Sequence, residues 1–160
     1  MNNTLPVSTA KKLMAEMDIS LEEKIAIAIE VKDNSVYKKI IELIQLDKLN
    51  TKKLIELGNQ FENTYCWCMI FKTRKIPHEF MLKICVEYRK KKISTNGMFE
   101  AAIETKLVPK KKMIKIIKDT ALTTVAKIAI KTELFMRHEL LEISRFIHDD
   151  TVVALINQRI

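Results

Sequence analysis

Residues 102–118 read AIETKLVPKKKMIKIIK, and the chain repeats the essentials of this stretch. Ala102-Ile103-Glu104-Thr105 ends an apolar run of helical spacing. Leu107-Val108-Pro109 follows, with the proline where a first helical turn tolerates it. Met113, Ile114, Ile116 and Ile117 then form one stripe of a second helix. Working outward, Ala28-Ile29-Glu30-Val31, Ile70-Phe71-Lys72-Thr73 and Ala129-Ile130-Lys131-Thr132 line up with the first block. Each block is followed by a second apolar pair: Ile40-Ile41, Met81-Leu82, Met113-Ile114 or Leu140-Leu141. The connectors Lys75-Ile76-Pro77 and Leu134-Phe135-Met136 match Leu107-Val108-Pro109. The last three units are spaced 32 and 27 residues apart; the first gap is 42, room for an extra helix at Thr51–Leu57.

Units of this length, each two helices unable to bury their apolar faces alone, build α-solenoids. Over residues 22–148 the pattern resembles HEAT-like helical-hairpin repeats, although the tetratricopeptide and ankyrin signatures are missing. The resemblance implies an all-α fold, a short α-solenoid of about four stacked hairpins in one domain over 1–160; an irregular helical bundle is the alternative. Period-two alternation is missing. About ten short helices are expected, at 8–17, 21–32, 35–47, 51–58, 63–73, 77–92, 97–106, 109–119, 123–133 and 136–148, with a last one from 151 and residues 1–7 frayed. Ser20 with Glu23 forms a capping box, and Thr51, Asn63, Thr123 and Asp150 are candidate caps.

Composition agrees with this reading. Of 160 residues, 48% are hydrophobic and 30% charged, a folding composition rather than a disordered one. Two glycines, Gly58 and Gly97, and three prolines are too few for a turn-rich β domain. They also leave no phosphate-cradling glycine loop. No apolar run approaches a membrane span, and the first residues lack a secretory segment. Three cysteines, an odd count for a disulfide framework, suggest a reducing compartment, hence a cytoplasmic protein. Lys outnumbers Arg 23 to 5 and Ile occurs 22 times, a bias of AT-rich coding. A virus, phage or low-GC bacterium would fit, and a viral protein would work in the host cytoplasm.

The candidate chemistry is sparse. Cys66 and Cys68 are two apart on a helix and diverge, so with only Cys85 to add they form no zinc site. Trp67 between them reads as a core plug. His148-Asp149-Asp150 invites comparison with metal-dependent helical phosphohydrolases, but no Asp follows Asp150. It reads as a helix end and a cap. His78 and His138 read as surface residues near helix starts. Glu22-Glu23 and Glu139/Glu142 fit exposed faces. No nucleophile, dinucleotide or metalloprotease motif is present, so neither catalysis nor a metal or cofactor is expected.

Charge is the most informative polar feature. Residues 1–60 hold 9 basic and 9 acidic groups, residues 61–120 hold 14 and 6, and residues 121–160 hold 5 and 5. The formal +8 therefore lies in the middle stretch. There Arg89, Lys90, Lys91 and Lys92 end one helix. Lys110, Lys111, Lys112, Lys115 and Lys118 run along the next, and Lys72, Arg74 and Lys75 lie at a turn. Stacked in register, these would form one basic ridge that steers an anionic partner. A solvated face is the bland alternative, and cations at a helix C-terminus also offset its dipole. The expected role is a non-enzymatic inhibitor or adaptor binding a protein with an acidic surface. A phage-encoded inhibitor of a host protease such as Lon is an example of that class. Nucleic acid is the alternative partner, disfavoured by the scarcity of arginine for base reading and of exposed aromatics for stacking. A homodimer through Val152, Val153, Leu155, Ile156 and Ile160 of the last helix is a further expectation.

Overall fold

The computed structural model describes residues 5–133 and 135–160. It is all-α: among the described residues there are eleven α-helices and one 3-10 turn, and no strand. Helix packing divides the chain into two compact units, Met1–Ile76 and Pro77–Ile160, each described by itself below.

The first unit contains α1 (Val7–Ala15), α2 (Leu21–Val31), α3 (Asn34–Ile44), a 3-10 turn (Leu46–Lys48), α4 (Thr51–Phe61) and α5 (Thr64–Lys72). Helix α3 packs between α1 and α5, while α2 packs on α4, giving two layers. The second unit contains α6 (His78–Lys90), α7 (Asn96–Glu104), α8 (Lys110–Thr120), α9 (Thr123–Thr132), α10 (Arg137–Ser144) and α11 (Asp150–Asn157). Its helices pair in sequence as α6/α7, α8/α9 and α10/α11. Between pairs, α7 packs on α9 and α9 on α11 in one layer, and α8 on α10 in the other. That is the packing of successive helical hairpins, each covering the apolar face of the one before.

The repeated sequence block has a physical job. Thr73 donates its hydroxyl hydrogen to the Ile70 carbonyl (2.7 Å), Thr105 to Ala102 (2.6 Å), and Thr132 to Ile128 (2.9 Å) and Ala129 (3.3 Å). Each hydroxyl closes the last turn of its helix, satisfying carbonyls the helix itself leaves open. Arg74 and Lys106 then turn the chain in the left-handed region, at φ 59° and 62°. Ile76 and Val108 plug the core, at 0% and 3% exposure. Pro77 and Pro109 open the next helices, their carbonyls accepting from the amides of the fully buried Met81 (3.1 Å) and Met113 (3.0 Å). Met136 holds the same place before α10, accepting from the amide of buried Leu140 (3.0 Å). Leu134 of that connector lies outside the described residues.

The block at Ala28–Val31 is not equivalent. It ends α2, whereas Ile70–Thr73 ends α5 in the other layer of the same unit. Val31 has no hydroxyl to close the turn, and α2 ends instead on left-handed Lys32, whose amide bonds the Ala28 carbonyl. Ala28–Val31 therefore stands half a unit out of phase with the other three blocks and matches them in apolar spacing alone.

Helix ends fall within a few residues of expectation, with local corrections. Residues 1–4 lie outside the described residues, but Val7 already opens α1. Asn50, not Thr51, caps α4, its Oδ1 accepting from the Lys53 amide (2.9 Å). Thr123 is the first residue of α9 rather than its cap. Asp149, not Asp150, caps α11. Asn63 caps α5, and Ser20 and Glu23 form the capping box.

Turn chemistry is unusual for a chain so poor in glycine. Among the described residues seven non-glycine residues hold positive φ, while neither glycine does. A Cβ in this region costs about 1–2 kcal/mol. Ala121, exposed at the end of α8 with φ 50°, is the simplest case. Ala121→Gly is expected to stabilise the protein by about 1 kcal/mol, measured as a higher urea midpoint at unchanged m-value.

The caps also set the acid response. The Ser20 backbone and side chain hold the Glu23 carboxyl below its usual range. The Ser35 hydroxyl does so foremost for Asp33, and the Thr151 hydroxyl for Asp149, with Lys127 also near at 3.6 Å. A carboxyl lowered in the folded state stabilises above its unfolded pKa and loses that contribution as pH falls through the folded one. Thermal stability is therefore expected to fall below about pH 4. The double variant Asp33→Asn/Asp149→Asn keeps a good cap acceptor and should flatten that acid limb.

Candidate functional site

Helix α8 carries the most concentrated charge in the second unit. Its inner face is Met113, Ile114, Ile116 and Ile117, all buried. This apolar stripe fixes the rotation of the helix, so Lys111, Lys112, Lys115 and Lys118 are left on the outside, all exposed. Those four lysines line one open groove of about 560 Å³ along α8 together with Ile114, Asp119 and Glu142. Lys112 Nζ lies 3.7 Å from Glu79 Oε1 at the start of α6, and Lys118 sits over the Phe146 ring at 4.9 Å. Lys110 is half-buried at the first helical position.

The placement of these cations opposes local energetics. Lys110, Lys111 and Lys112 occupy the first turn of α8, which has no acidic residue. A cation near that positive dipole end costs up to about 1 kcal/mol. Lys111 and Lys115, four apart, add like-charge repulsion. The basic end of α6 is different: Arg89 and Lys90 occupy its last turn, where cations favour the dipole. Lys83 and Glu87 on α6 form an i,i+4 pair at 3.9 Å, diluting its charge.

The remaining ridge residues fall in several environments. Arg89 and Lys92 line a second groove with Ile93, Ser94, Thr95, Asn96 and Leu122. Lys91 lies 5.6 Å from the centre of the Tyr88 ring, and Lys90 is exposed. In the first unit, Lys75 Nζ donates to the carbonyls of Asp47 and Leu49 (2.5 and 2.8 Å), capping the 3-10 turn. Its charge is largely spent on structure. Lys72 lines a shallow hollow with Glu42 and Asp47, and Arg74 is exposed on its left-handed turn.

The other candidates resolve into structure. Trp67 is fully buried, its ring beside Phe71 and against Gly58 of α4. Burial pushes the Cys66 thiol up to about 12, with the neighbouring Cys68 adding to the shift, so it carries almost no thiolate at neutral pH. Cys85 is buried and Cys68 half-buried. Among the described residues no group of three or more His, Cys, Asp or Glu side chains converges for a metal. Asp149 accepts from the amides of Thr151 and Val152, and His148 is exposed. His138 is exposed, but His78 is only 20% exposed, with Nε2 2.7 Å from Glu79 Oε1 in a contact too poorly directed for a hydrogen bond. Burial beside a carboxylate is invisible to sequence spacing there.

On α11, Val152 and Ile156 face the core, at 0% and 2% exposure. Val153 and Ile160 are exposed and Leu155 is half-buried, so part of the expected pairing face serves the unit itself. No helix among the described residues is long and apolar enough to cross a membrane. No protein-family model, curated protein or solved structure matches this chain.

Proposed function

We propose that this chain is a non-enzymatic interaction module, an inhibitor or adaptor, that docks an acidic protein surface on the outer face of α8. One observation carries the reading: lysines fill the first turn of α8, where the helix dipole opposes them and the turn itself holds no acidic residue, Glu79 of α6 reaching Lys112 from outside. A solvated face chosen for stability alone would place acids there. Ile114, which lines the same groove, offers an apolar contact beside the charges. The lysines would raise the encounter rate and set orientation, and the apolar contact would slow release.

Lysine rather than arginine, with Phe146 half-buried beneath Lys118, suits an acidic protein better than a base-reading or base-stacking role. Capture from lysate of the native host at moderate salt, with and without nuclease, tests the reading. The expected result is one protein retained after nuclease treatment. Binding that vanishes with nuclease, or falls about a thousandfold between roughly 50 and 200 mM salt, would assign the lysines to nucleic acid instead.

A further inference from the structure

The second basic groove has a different chemistry from the first. Helix α6 ends through left-handed Lys92 (φ 59°), with the Lys92 amide on the Arg89 carbonyl (2.9 Å) and the Ile93 amide on the Tyr88 carbonyl (3.1 Å). Ser94 and Thr95 follow, and the nine-residue α7 begins at Asn96. Its first turn has no side-chain cap. The amides of Asn96, Gly97 and Met98 therefore stand as open donors, the first intrahelical bond being Phe99 to the Thr95 carbonyl (3.0 Å).

Thr95 is the informative residue. It is 4% exposed, occupies the cap position and lines the groove, yet its hydroxyl makes no hydrogen bond among the described residues. A threonine here would ordinarily turn its oxygen onto the first-turn amides. The side chain is otherwise packed, and its unpaired oxygen opens onto the groove, where a ligand can bond it. Arg89 and Lys92 line the same groove, and no carboxylate does. Asn96 at the start of α7, the Thr95 side chain and two cations thus line one space of about 330 Å³.

We propose that this groove binds the phosphate group of a phosphate monoester. A dianion with three acceptor oxygens matches a set made of donors at a positive dipole end. The small volume suits a terminal phosphate rather than a continuous diester backbone. The site is separate from α8 and holds or fails independently of the acidic-partner reading.

The test titrates inorganic phosphate, phosphoserine and dimethyl phosphate into ¹⁵N-labelled protein at constant ionic strength, following the amides of Asn96, Gly97 and Met98. Saturable shifts with the two monoester-type ligands are expected. Thr95→Val keeps shape and burial and should weaken binding about tenfold, as a lost hydrogen bond to a charged group does; Arg89→Gln should do likewise. Lys111→Glu/Lys115→Glu should leave these shifts unchanged. Chloride-like linear shifts, or affinity unaltered by Thr95→Val in a protein with otherwise unchanged amide spectrum, would overturn the site. Dimethyl phosphate binding as tightly as phosphoserine would overturn the monoester assignment.

Discussion

Trp67→Ala is expected to destabilise the protein by about 3–5 kcal/mol, a large share of the roughly 5–15 kcal/mol that holds a domain of this kind together. The side chain is the only tryptophan and is fully buried, with Phe71 at 5.8 Å between ring centres. Its space exists because α4 carries Gly58 opposite it. A Cβ built on Gly58 would lie 2.5–2.7 Å from three atoms of the indole ring, a clash a rigid buried ring cannot relieve by rotating. Gly58→Ala should therefore cost about 1–3 kcal/mol of overpacking, offset in part by the roughly 1 kcal/mol that alanine gains over glycine inside a helix. With Trp67→Ala present the clash disappears, and Gly58→Ala should become neutral or stabilising. Urea denaturation followed by circular dichroism would measure the cycle. Equal costs of Gly58→Ala in both backgrounds would show that the ring and the glycine are not in contact.

The second large effect is on binding. Lys111→Glu/Lys115→Glu is expected to weaken the acidic partner by about 10–100-fold, because two attractions become repulsions at the centre of the stripe. The same change removes a cation from the first turn of α8 and supplies an anion. Stability should therefore hold or rise slightly. Opposite signs in the two measurements separate a binding role from a structural one. Unchanged affinity for the captured partner would return these lysines to a solvated face. Lys75→Ala should behave in the reverse manner, losing stability through the carbonyls of Asp47 and Leu49.

Much of the fold was legible because helices advertise themselves locally. The apolar stripe of α8, its proline start and the threonine that closes α7 lie within seventeen residues, 102–118, and none needs a distant partner to be read. The likeness of Thr73-Arg74-Lys75-Ile76-Pro77 to Thr105-Lys106-Leu107-Val108-Pro109 reflects a shared backbone path, with hydroxyl closure, left-handed turn, buried plug and proline in fixed order. Where the Ala28 block went out of phase, the apolar spacing was real but the closing hydroxyl was not there. Caps slipped by one residue at Asn50 and Asp149 because neighbouring polar residues compete for the same amides.

The lysines were visible from the start, but their roles were not. Charge is a property of the residue, whereas the work a charge does depends on what stands within a few ångströms. Lys75 and Lys111 are alike in sequence; one is held by two carbonyls and the other looks outward from α8. The sequence by itself determined the helices, their order and the absence of a nucleophile or dinucleotide motif, since these rest on period, composition and local capping. Only the tertiary structure decided which helices share a layer, which cations share a groove, and that Thr95 keeps an unused hydroxyl beside Arg89 and Lys92. Those outcomes are set by contacts between residues distant along the chain, and such contacts leave no periodicity to read.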